Sequence, residues 1–274
     1  MGAARIFLYD TGEGSAVLML HGFNHHAEAW ARNIADVAAA GHRVVVPDLP
    51  GFGRSGVPPM RYSLRGYADF VADLAGVLDL ASVHLVGNSM GGAIALRTAI
   101  DHPGLVRSVT AVDPAGMFSV VPFGWTLAAN RLVQRVIRPF MGRRRMIEEG
   151  HRRAYHDPAH FDMRQVDLIA EAWTQPGYAE HILRMAETML LAPADELLWE
   201  KLPGIRVPVL VAWGREDRTL PLRHAYHAAQ RIPGAELRVY DRCGHLPMYE
   251  KATEFNRDVV AFLSRVDGGA KPGN

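Results

Sequence analysis

The stretch Ser82-Val83-His84-Leu85-Val86-Gly87-Asn88-Ser89-Met90-Gly91 runs directly into the helix-forming stretch Gly92-Ala93-Ile94-Ala95-Leu96. It predicts a buried strand, a sharp turn at Ser89 and a helix. In this G-x-S-x-G pattern the two flanking glycines allow a tight turn, so that the serine hydroxyl stands out at the edge of a sheet. Because five letters can recur by chance, the surrounding sequence has to support the interpretation.

Length and composition limit the class of protein. The chain has 274 residues, of which 49% are apolar and 22% charged, and its net charge is +1. These values predict a globular protein and give no reason to expect nucleic acid or an acidic membrane surface as a partner. With a single cysteine, Cys243, no intrachain disulfide can form. We find no apolar run of the ~18 residues that a membrane span needs and no signal-peptide pattern, so we expect a cytoplasmic protein without membrane insertion.

Short β-branched runs alternate with helical patterns along most of the chain. This alternation predicts an α/β fold with a mostly parallel, twisted sheet and helices on both faces. The predicted strands are Arg5–Tyr9, Ala16–Leu20, Arg43–Val46, Ser82–Val86, Val106–Val112, Val207–Trp213 and Glu236–Tyr240. The predicted helices are Ala29–Ala40, Ser63–Leu80, Ser89–Ile100, Leu222–Arg231 and Thr253–Val266.

One segment interrupts the alternation. No strand pattern occurs between Val112 and Val207, although a strand–helix–strand crossover needs only ~30 residues. We therefore predict a helical cap at 117–195 over a core formed by 1–116 and 196–267; the alternative is that this segment merely extends the core. A cap here would cover the carboxyl ends of the strands, where open α/β sheets bind ligands. The tail 268–274 contains glycine and proline and is predicted to be disordered.

Three residues have the types and the order needed for nucleophilic catalysis. Ser89 is the candidate nucleophile, and it needs a base because a serine hydroxyl is barely ionised at neutral pH. His245 is the best candidate base among thirteen histidines, since a predicted strand ends just before it. Asp217, which also follows a strand, would hold the imidazole in the required tautomer. Asp113 follows another strand and is the rival candidate for this acid.

Stabilisation of a developing oxyanion needs two backbone N–H donors. The first candidate is Met90, which follows the nucleophile at the start of a helix. The second is Phe23, in the stretch His21-Gly22-Phe23-Asn24 after the second predicted strand. The residues predicted to line the substrate pocket are the neighbours of these groups: His21, Gly22, Asn24, Asn88 and Leu246. For His21 a structural role is favoured over a catalytic one.

Taken together, these motifs resemble the α/β-hydrolase superfamily over nearly the whole chain. The matching stretches are His21-Gly22-Phe23, Asp48-Leu49-Pro50-Gly51-Phe52-Gly53-Arg54-Ser55, Gly87-Asn88-Ser89-Met90-Gly91-Gly92, Gly214-Arg215-Glu216-Asp217 and Gly244-His245. The resemblance implies the α/β-hydrolase fold with an inserted helical cap and a serine hydrolase of the esterase or lipase type. The stretch Asn88–Gly92 is also similar to that of the meta-cleavage-product hydrolases, which split carbon–carbon bonds. Those enzymes have a longer glycine-rich loop where this chain has Asn24-His25-His26.

The leading hypothesis is hydrolysis of carboxylic esters of small to medium hydrophobic substrates through an acyl-enzyme. The alternative is carbon–carbon bond hydrolysis of a dienol or β-diketone acid by the same triad. Such an acid would need a cationic partner in the cap, although a run of arginines is more often a solvated helix face. The candidate arginines are Arg131, Arg135, Arg138, Arg143, Arg144, Arg145, Arg152 and Arg153. A receptor that keeps the fold without catalysis is a less favoured third hypothesis.

Neither a metal nor an organic cofactor is predicted. His25 and His26 are adjacent and have no cysteine or carboxylate at ligand spacing, and no G-x-G-x-x-G follows a strand. The expected partner is a small-molecule substrate, and a homodimer is left open.

Overall fold

A computed structural model describes residues 5–116, 133, 136, 144–190 and 197–269. Seven strands form one sheet in the order β1-β3-β2-β4-β5-β6-β7. Within this sheet β1 pairs antiparallel with β3, and the remaining neighbours pair in parallel. The strands are β1 (Leu8–Thr11), β2 (Ser15–Leu20), β3 (His42–Pro47), β4 (Val83–Asn88), β5 (Val106–Val112), β6 (Val209–Gly214) and β7 (Glu236–Tyr240).

Helices cover both faces of the sheet, as the alternating pattern predicts. In the described ranges they are α1 (Ile34–Ala39), α2 (Leu64–Val77), α3 (Met90–Asp101), α4 (Arg144–Arg153), α5 (Met163–Trp173), α6 (Tyr178–Leu190), α7 (Arg223–Arg231), α8 (Pro247–Glu250) and α9 (Ala252–Gly269). Single 3₁₀ turns occur at Ala27–Trp30, Pro158–His160 and Leu202–Gly204.

Alternation along the central strands divides the core into two layers. Leu18 and Leu20 of β2 belong to the apolar cluster beneath α2, α3 and α7. Val17 and Met19, which point to the opposite face, pack with the cluster beneath α1 and α9. Because helices bury both faces, apolar residues in these strands point to both sides of the sheet.

Several predicted boundaries differ from the structure, and long-range contacts explain two of these differences. The predicted strand Arg5–Tyr9 starts only at Leu8, because Arg5 and Phe7 instead bond the loop after β3, through Gly56 N–H to Arg5 O and Asp48 N–H to Phe7 O. The predicted helix Ala29–Ala40 is interrupted at Asn33, whose amide donates to Met248 O at 2.9 Å. The predicted disordered tail starts too early, since α9 continues to Gly269 and residues 270–274 lie outside the described part.

The predicted cap segment contributes α4, α5 and α6 to the described structure. Ile147, Val166 and Ile169 form a small apolar cluster between α4 and α5. Ile182 and Met185 of α6 instead join the large cluster of the core. Residues 117–132, 134, 135, 137–143 and 191–195 of this segment lie outside the described part of the chain, and the division into core and cap stays a prediction.

None of the helices in the described ranges is both long and apolar enough to cross a membrane.

A carboxylate of α9 ties together the amino ends of β2, β4 and β5. Asp267 accepts hydrogen bonds from Ser15 Oγ at 2.6 Å, Arg107 Nη1 at 2.8 Å and the buried His84 Nε2 at 3.0 Å. Burial raises the pKa of Asp267, but the bonds from Ser15 and Arg107 and the nearby His84 outweigh it and lower the pKa to about 2. The ionised carboxylate therefore stabilises the folded chain.

We expect Asp267→Asn to make the free energy of unfolding less dependent on pH in the acidic range. Because the folded-state pKa lies below the ordinary value of 3.8, the stabilisation is complete above that value and is lost as the pH falls towards 2. Urea unfolding at about pH 5 and pH 3 should show a larger loss of unfolding free energy for the wild type than for Asp267→Asn. Asp241→Asn, at a side chain that is 71% exposed, is the matched control. Equal losses in wild type and Asp267→Asn would contradict the assignment.

Candidate active site

Ser89 occupies a sharp turn between a strand and a helix. β4 ends at Asn88, α3 begins at Met90, and Ser89 between them has φ 54° and ψ −114°. Its N–H donates to Val112 O of β5 at 2.8 Å, which anchors the turn to the neighbouring strand. A positive φ is costly for a residue with a side chain, and such strain is concentrated at functional sites.

Glycine is required on both sides of this turn by close backbone approaches. A Cβ on Gly87 would lie 2.2 Å from Gly91 O, and a Cβ on Gly91 would lie 2.1 Å from Leu20 O. At Gly22, on the loop after β2, a Cβ would lie 3.3 Å from Ser89 Cβ. The loop after β2 therefore passes directly beside Ser89, as the prediction of an oxyanion loop requires.

Asp217 and His245 form a buried hydrogen-bonded pair. His245 Nδ1 lies 2.7 Å from Asp217 Oδ2, while Asp217 Oδ1 accepts the N–H groups of Thr219 at 2.6 Å and Leu220 at 3.0 Å. Burial raises the pKa of Asp217, but the attraction of His245 and these hydrogen bonds outweigh it, so the pKa lies below its ordinary value. The ionised carboxylate accepts the Nδ1 proton, which leaves Nε2 of a neutral His245 with a free lone pair.

The backbone of His245 is held from two sides. Its N–H donates to Ala154 O at 2.7 Å, and its carbonyl accepts a hydrogen bond from Asn88 Nδ2 at 3.1 Å. The second bond places the loop of His245 next to the residue that precedes Ser89. The Asn88 side chain is buried in this contact, and its role in lining the substrate pocket stays a prediction.

The buried carboxylate of Glu250 braces the same loop. Its Oε1 accepts the N–H of Gly244 at 2.7 Å, and its Oε2 accepts the N–H groups of His156 at 2.9 Å and Asp157 at 3.0 Å. Sequence analysis missed Glu250. The available signal was that Glu250 directly follows the apolar stretch Leu246-Pro247-Met248-Tyr249. A charged residue that is buried with such a stretch is rare unless it is paired.

His21 supports the loop after β2 from inside. Its Nδ1–H donates to Gly22 O at 2.8 Å, and its Nε2 accepts the N–H of Leu49 at 2.8 Å. Burial lowers the pKa of His21 to about 4, so the ring is neutral and keeps both bonds. The structural role favoured for His21 fits these contacts and its full burial, and its place in the pocket lining stays a prediction.

The other predicted site residues lie on the loop after β2, at the start of α3 and directly after His245. Phe23 is 38% exposed, and Met90 is the first residue of α3, where helix N–H groups have no partner within the helix. Asn24 has φ 52°, and its Oδ1 accepts a hydrogen bond from Trp173 Nε1 of α5 at 3.1 Å. Leu246 is buried directly after His245. The oxyanion-hole roles of Phe23 and Met90 stay predictions.

Asp113 reaches the same site from the end of β5. It is buried, and its Oδ1 accepts the N–H of Gly214 at 3.0 Å. One carboxylate oxygen each from Asp113 and Asp217 and one ring nitrogen of His245 lie within 4.8 Å of one another. Such a trio could in principle share a cation, but the hydrogen bond of His245 goes to Asp217. This contact favours Asp217 over Asp113 as the partner of His245.

Comparison with known proteins identifies relatives over nearly the whole length. The family model described as "Alpha/beta hydrolase family" matches residues 17–258. The chain is 32% identical over 281 residues to 2-hydroxy-6-oxo-6-phenylhexa-2,4-dienoate hydrolase of Burkholderia cepacia, covering 95% of this chain and 91% of that protein. It is 33% identical over 282 residues to 2-hydroxy-6-oxononadienedioate/2-hydroxy-6-oxononatrienedioate hydrolase of Comamonas testosteroni, with the same coverage of 95% and 91%.

Solved structures of two kinds share the fold. A meta-cleavage product hydrolase from Pseudomonas fluorescens IP01 superposes with a TM-score of 0.80 at 27% identity, covering 96% of this chain and 95% of that one. A thermophilic esterase from Thermogutta terrifontis superposes with a TM-score of 0.81 at 26% identity, covering 96% and 94%. The chain therefore belongs to the alpha/beta hydrolase family.

Proposed function

We propose that this protein is a serine hydrolase in which Ser89 is the nucleophile, His245 the general base and Asp217 the acid that orients it. The observation that carries the proposal is the 2.7 Å hydrogen bond between His245 Nδ1 and Asp217 Oδ2, beside a serine on a left-handed turn. This bond directs the free Nε2 lone pair of His245 away from Asp217, where it can take a proton from a serine hydroxyl.

Each step of the proposed reaction uses a group of this chain. Ser89 Oγ transfers its proton to His245 Nε2 and attacks the substrate carbonyl carbon. The N–H groups of Phe23 and Met90 stabilise the resulting oxyanion. His245 then delivers the proton to the leaving group, which departs and leaves an acyl-enzyme. A water molecule, activated by His245, releases the acid and restores Ser89.

We infer that the bond cleaved is a carboxylic ester of a small to medium hydrophobic substrate. A dienoic acid substrate would call for a cation turned towards the site. The described arginines of α4 instead lie on its exposed face, where Arg144 pairs with Asp167 and two others pair with glutamates of the same helix: Arg152 with Glu148 and Arg153 with Glu149. Arg145 is exposed as well, and the predicted candidates Arg131, Arg135, Arg138 and Arg143 lie outside the described residues.

Carbon–carbon bond hydrolysis is the second candidate, and the relatives favour it. The two dienoate hydrolases described above are 32% and 33% identical to this chain over most of its length. The same groups would serve this reaction, because the scaffold and the triad do not by themselves determine the substrate.

The first prediction concerns the triad itself. Ser89→Ala should lower turnover by several orders of magnitude, because it removes the nucleophile. Asp217→Asn should lower turnover by about 10⁴-fold, because the imidazole of His245 loses its orientation. Initial rates and circular dichroism of both variants would separate lost chemistry from lost structure. An unchanged rate in Ser89→Ala would contradict the mechanism.

The second prediction concerns Glu250, which accepts a hydrogen bond from the loop that carries His245. In Glu250→Gln the amide replaces one acceptor oxygen with a donor that faces backbone N–H groups. Displacement of His245 should then lower kcat by up to about 10²-fold with little change in KM. The control is Glu254→Gln, at an exposed position of α9. Equal kinetics for both variants would show that Glu250 does not position His245.

The third prediction separates the two candidate reactions. Purified wild type and Ser89→Ala are assayed side by side on p-nitrophenyl esters of increasing acyl length and on a 2-hydroxy-6-oxo-dienoate. We expect Ser89-dependent turnover of the esters with a preference for short to medium chains. Turnover of the dienoate with at least about 10²-fold higher kcat/KM would assign carbon–carbon hydrolysis instead. Measurable binding without turnover of either substrate would favour a receptor.

A further inference from the structure

A second carboxyl group lies behind the acid of the proposed triad. Asp113 follows β5, is fully buried and has φ 41°, a left-handed conformation that aspartate tolerates better than most residues. Its Oδ1 accepts the N–H of Gly214, the last residue of β6. Asp113 therefore holds the ends of β5 and β6 together with one of its two oxygens.

The other oxygen of Asp113 has no conventional donor. Oδ2 is buried and accepts no N–H or O–H from any residue in the described part of the chain. An unpaired buried carboxylate oxygen is costly. The Asp217 carboxylate and the ring of His245 lie near the Asp113 carboxyl group, since one oxygen of each aspartate and one ring nitrogen of His245 lie within 4.8 Å of one another. The cost is removed if Oδ2 carries a proton and donates a hydrogen bond to the Asp217 carboxylate.

Only one of two adjacent buried carboxyl groups can be ionised at low cost. Asp217 receives the Nδ1 proton of His245 and two backbone N–H groups, whereas Asp113 receives one backbone N–H. The distribution of hydrogen bonds therefore places the negative charge on Asp217 and the proton on Asp113.

The surroundings act in the same direction. Burial and then the charge of Asp217 raise the pKa of Asp113 well above its ordinary value, against the lowering effect of the Gly214 N–H. Glu250 adds a further negative charge on this side. The Cys243 thiol, whose own pKa is raised by burial, adds no positive charge that would favour an ionised Asp113.

We propose that Asp113 is a protonated positioning residue that donates from Oδ2 to the Asp217 carboxylate and fixes it towards His245. The role in the reaction rests on the proposed function, but the protonation itself does not. The pair then carries one negative charge, which His245 faces when it becomes an imidazolium. Asp217 is held by contacts with His245, with two backbone N–H groups and with Asp113.

The protonation of Asp113 can be tested without any substrate. Infrared difference spectra of wild type and Asp113→Asn at neutral pH should show the carbonyl band of a protonated carboxyl group in the wild type and its loss in the variant. Asparagine suits the left-handed backbone and keeps a neutral donor. A wild type without this band, or a band that persists in Asp113→Asn, would overturn the proposal.

The pH profile of kcat/KM tests whether Asp113 is neutral or ionised. If Asp113 is protonated, Asp113→Asn replaces one neutral group by another, and the midpoint of the acid limb of the profile stays in place. If Asp113 is ionised, the variant removes a negative charge near the imidazole and shifts the midpoint to lower pH by about one unit or more. Such a shift would contradict the proposal, and a role confined to folding would not produce it.

The donor is tested by comparing two variants. Asp113→Gly keeps the backbone conformation accessible but removes the side chain, so kcat should fall about tenfold while KM is retained. Asp113→Asn should stay within about threefold of wild type, because its amide still donates to Asp217. Equal kcat for Asp113→Gly and wild type would refute the positioning role. If Asp113→Gly does not fold, the infrared band and the Asp113→Asn profile still decide the matter.

The two proposals fail in different ways. Full activity of Ser89→Ala together with the infrared band would reject the serine mechanism and leave the protonated carboxyl in place. Loss of activity in Ser89→Ala without the band would do the opposite.

Discussion

The parallel register of β4, β5 and β6 is the constraint on which the rest of the site depends. Asn88 pairs with Val112, and Val112 pairs with Ala212, so the three strands end side by side. Parallel strands deliver the residues that follow them to one edge of the sheet. Ser89, Asp113 and Asp217 follow these strands directly or closely and meet there although they are far apart in sequence.

At this edge, backbone groups and buried polar side chains hold the reactive groups in place. His245 N–H binds Ala154 O, and Glu250 spans from Gly244 to residues 156 and 157 after α4. The loop that carries His245 is therefore fastened to the helical segment that the sequence predicts as a cap. A displacement of this segment would therefore act on the loop of His245 through these hydrogen bonds.

The site combines one strained residue with a network of buried hydrogen bonds. Ser89 is held at positive φ by its N–H bond to β5 and by the close approach of the glycines around it. Next to His245, two buried aspartates differ in the number of hydrogen bonds that they accept. Asp217 has enough donors to stay ionised, whereas Asp113, with fewer donors and the charge of Asp217 beside it, has a raised pKa. Two residues of one type thus acquire different roles from their surroundings.

Much of the fold, and the residue types that follow its central strands, could be predicted from the sequence. The turn at Ser89 is a local property, because the glycines before and after it are needed for steric reasons that the pattern itself displays. The alternation of strands and helices likewise predicts the sheet, since each element is encoded by its own periodicity. The predicted strands Val106–Val112 and Glu236–Tyr240 are confirmed residue for residue.

Contacts between distant segments decided the rest. Asn33 ends a predicted helix because its amide binds Met248, and Glu250 became part of the site because it accepts N–H groups from two loops. The side chains of His21 and Asn88 bind backbone groups of Leu49 and His245, which are distant in sequence. The sequence could determine which residue types stand after each strand, but it could not determine where each buried polar atom finds its partner. That depends on segments that only folding brings within 3 Å of one another, which is the distance at which a hydrogen bond forms.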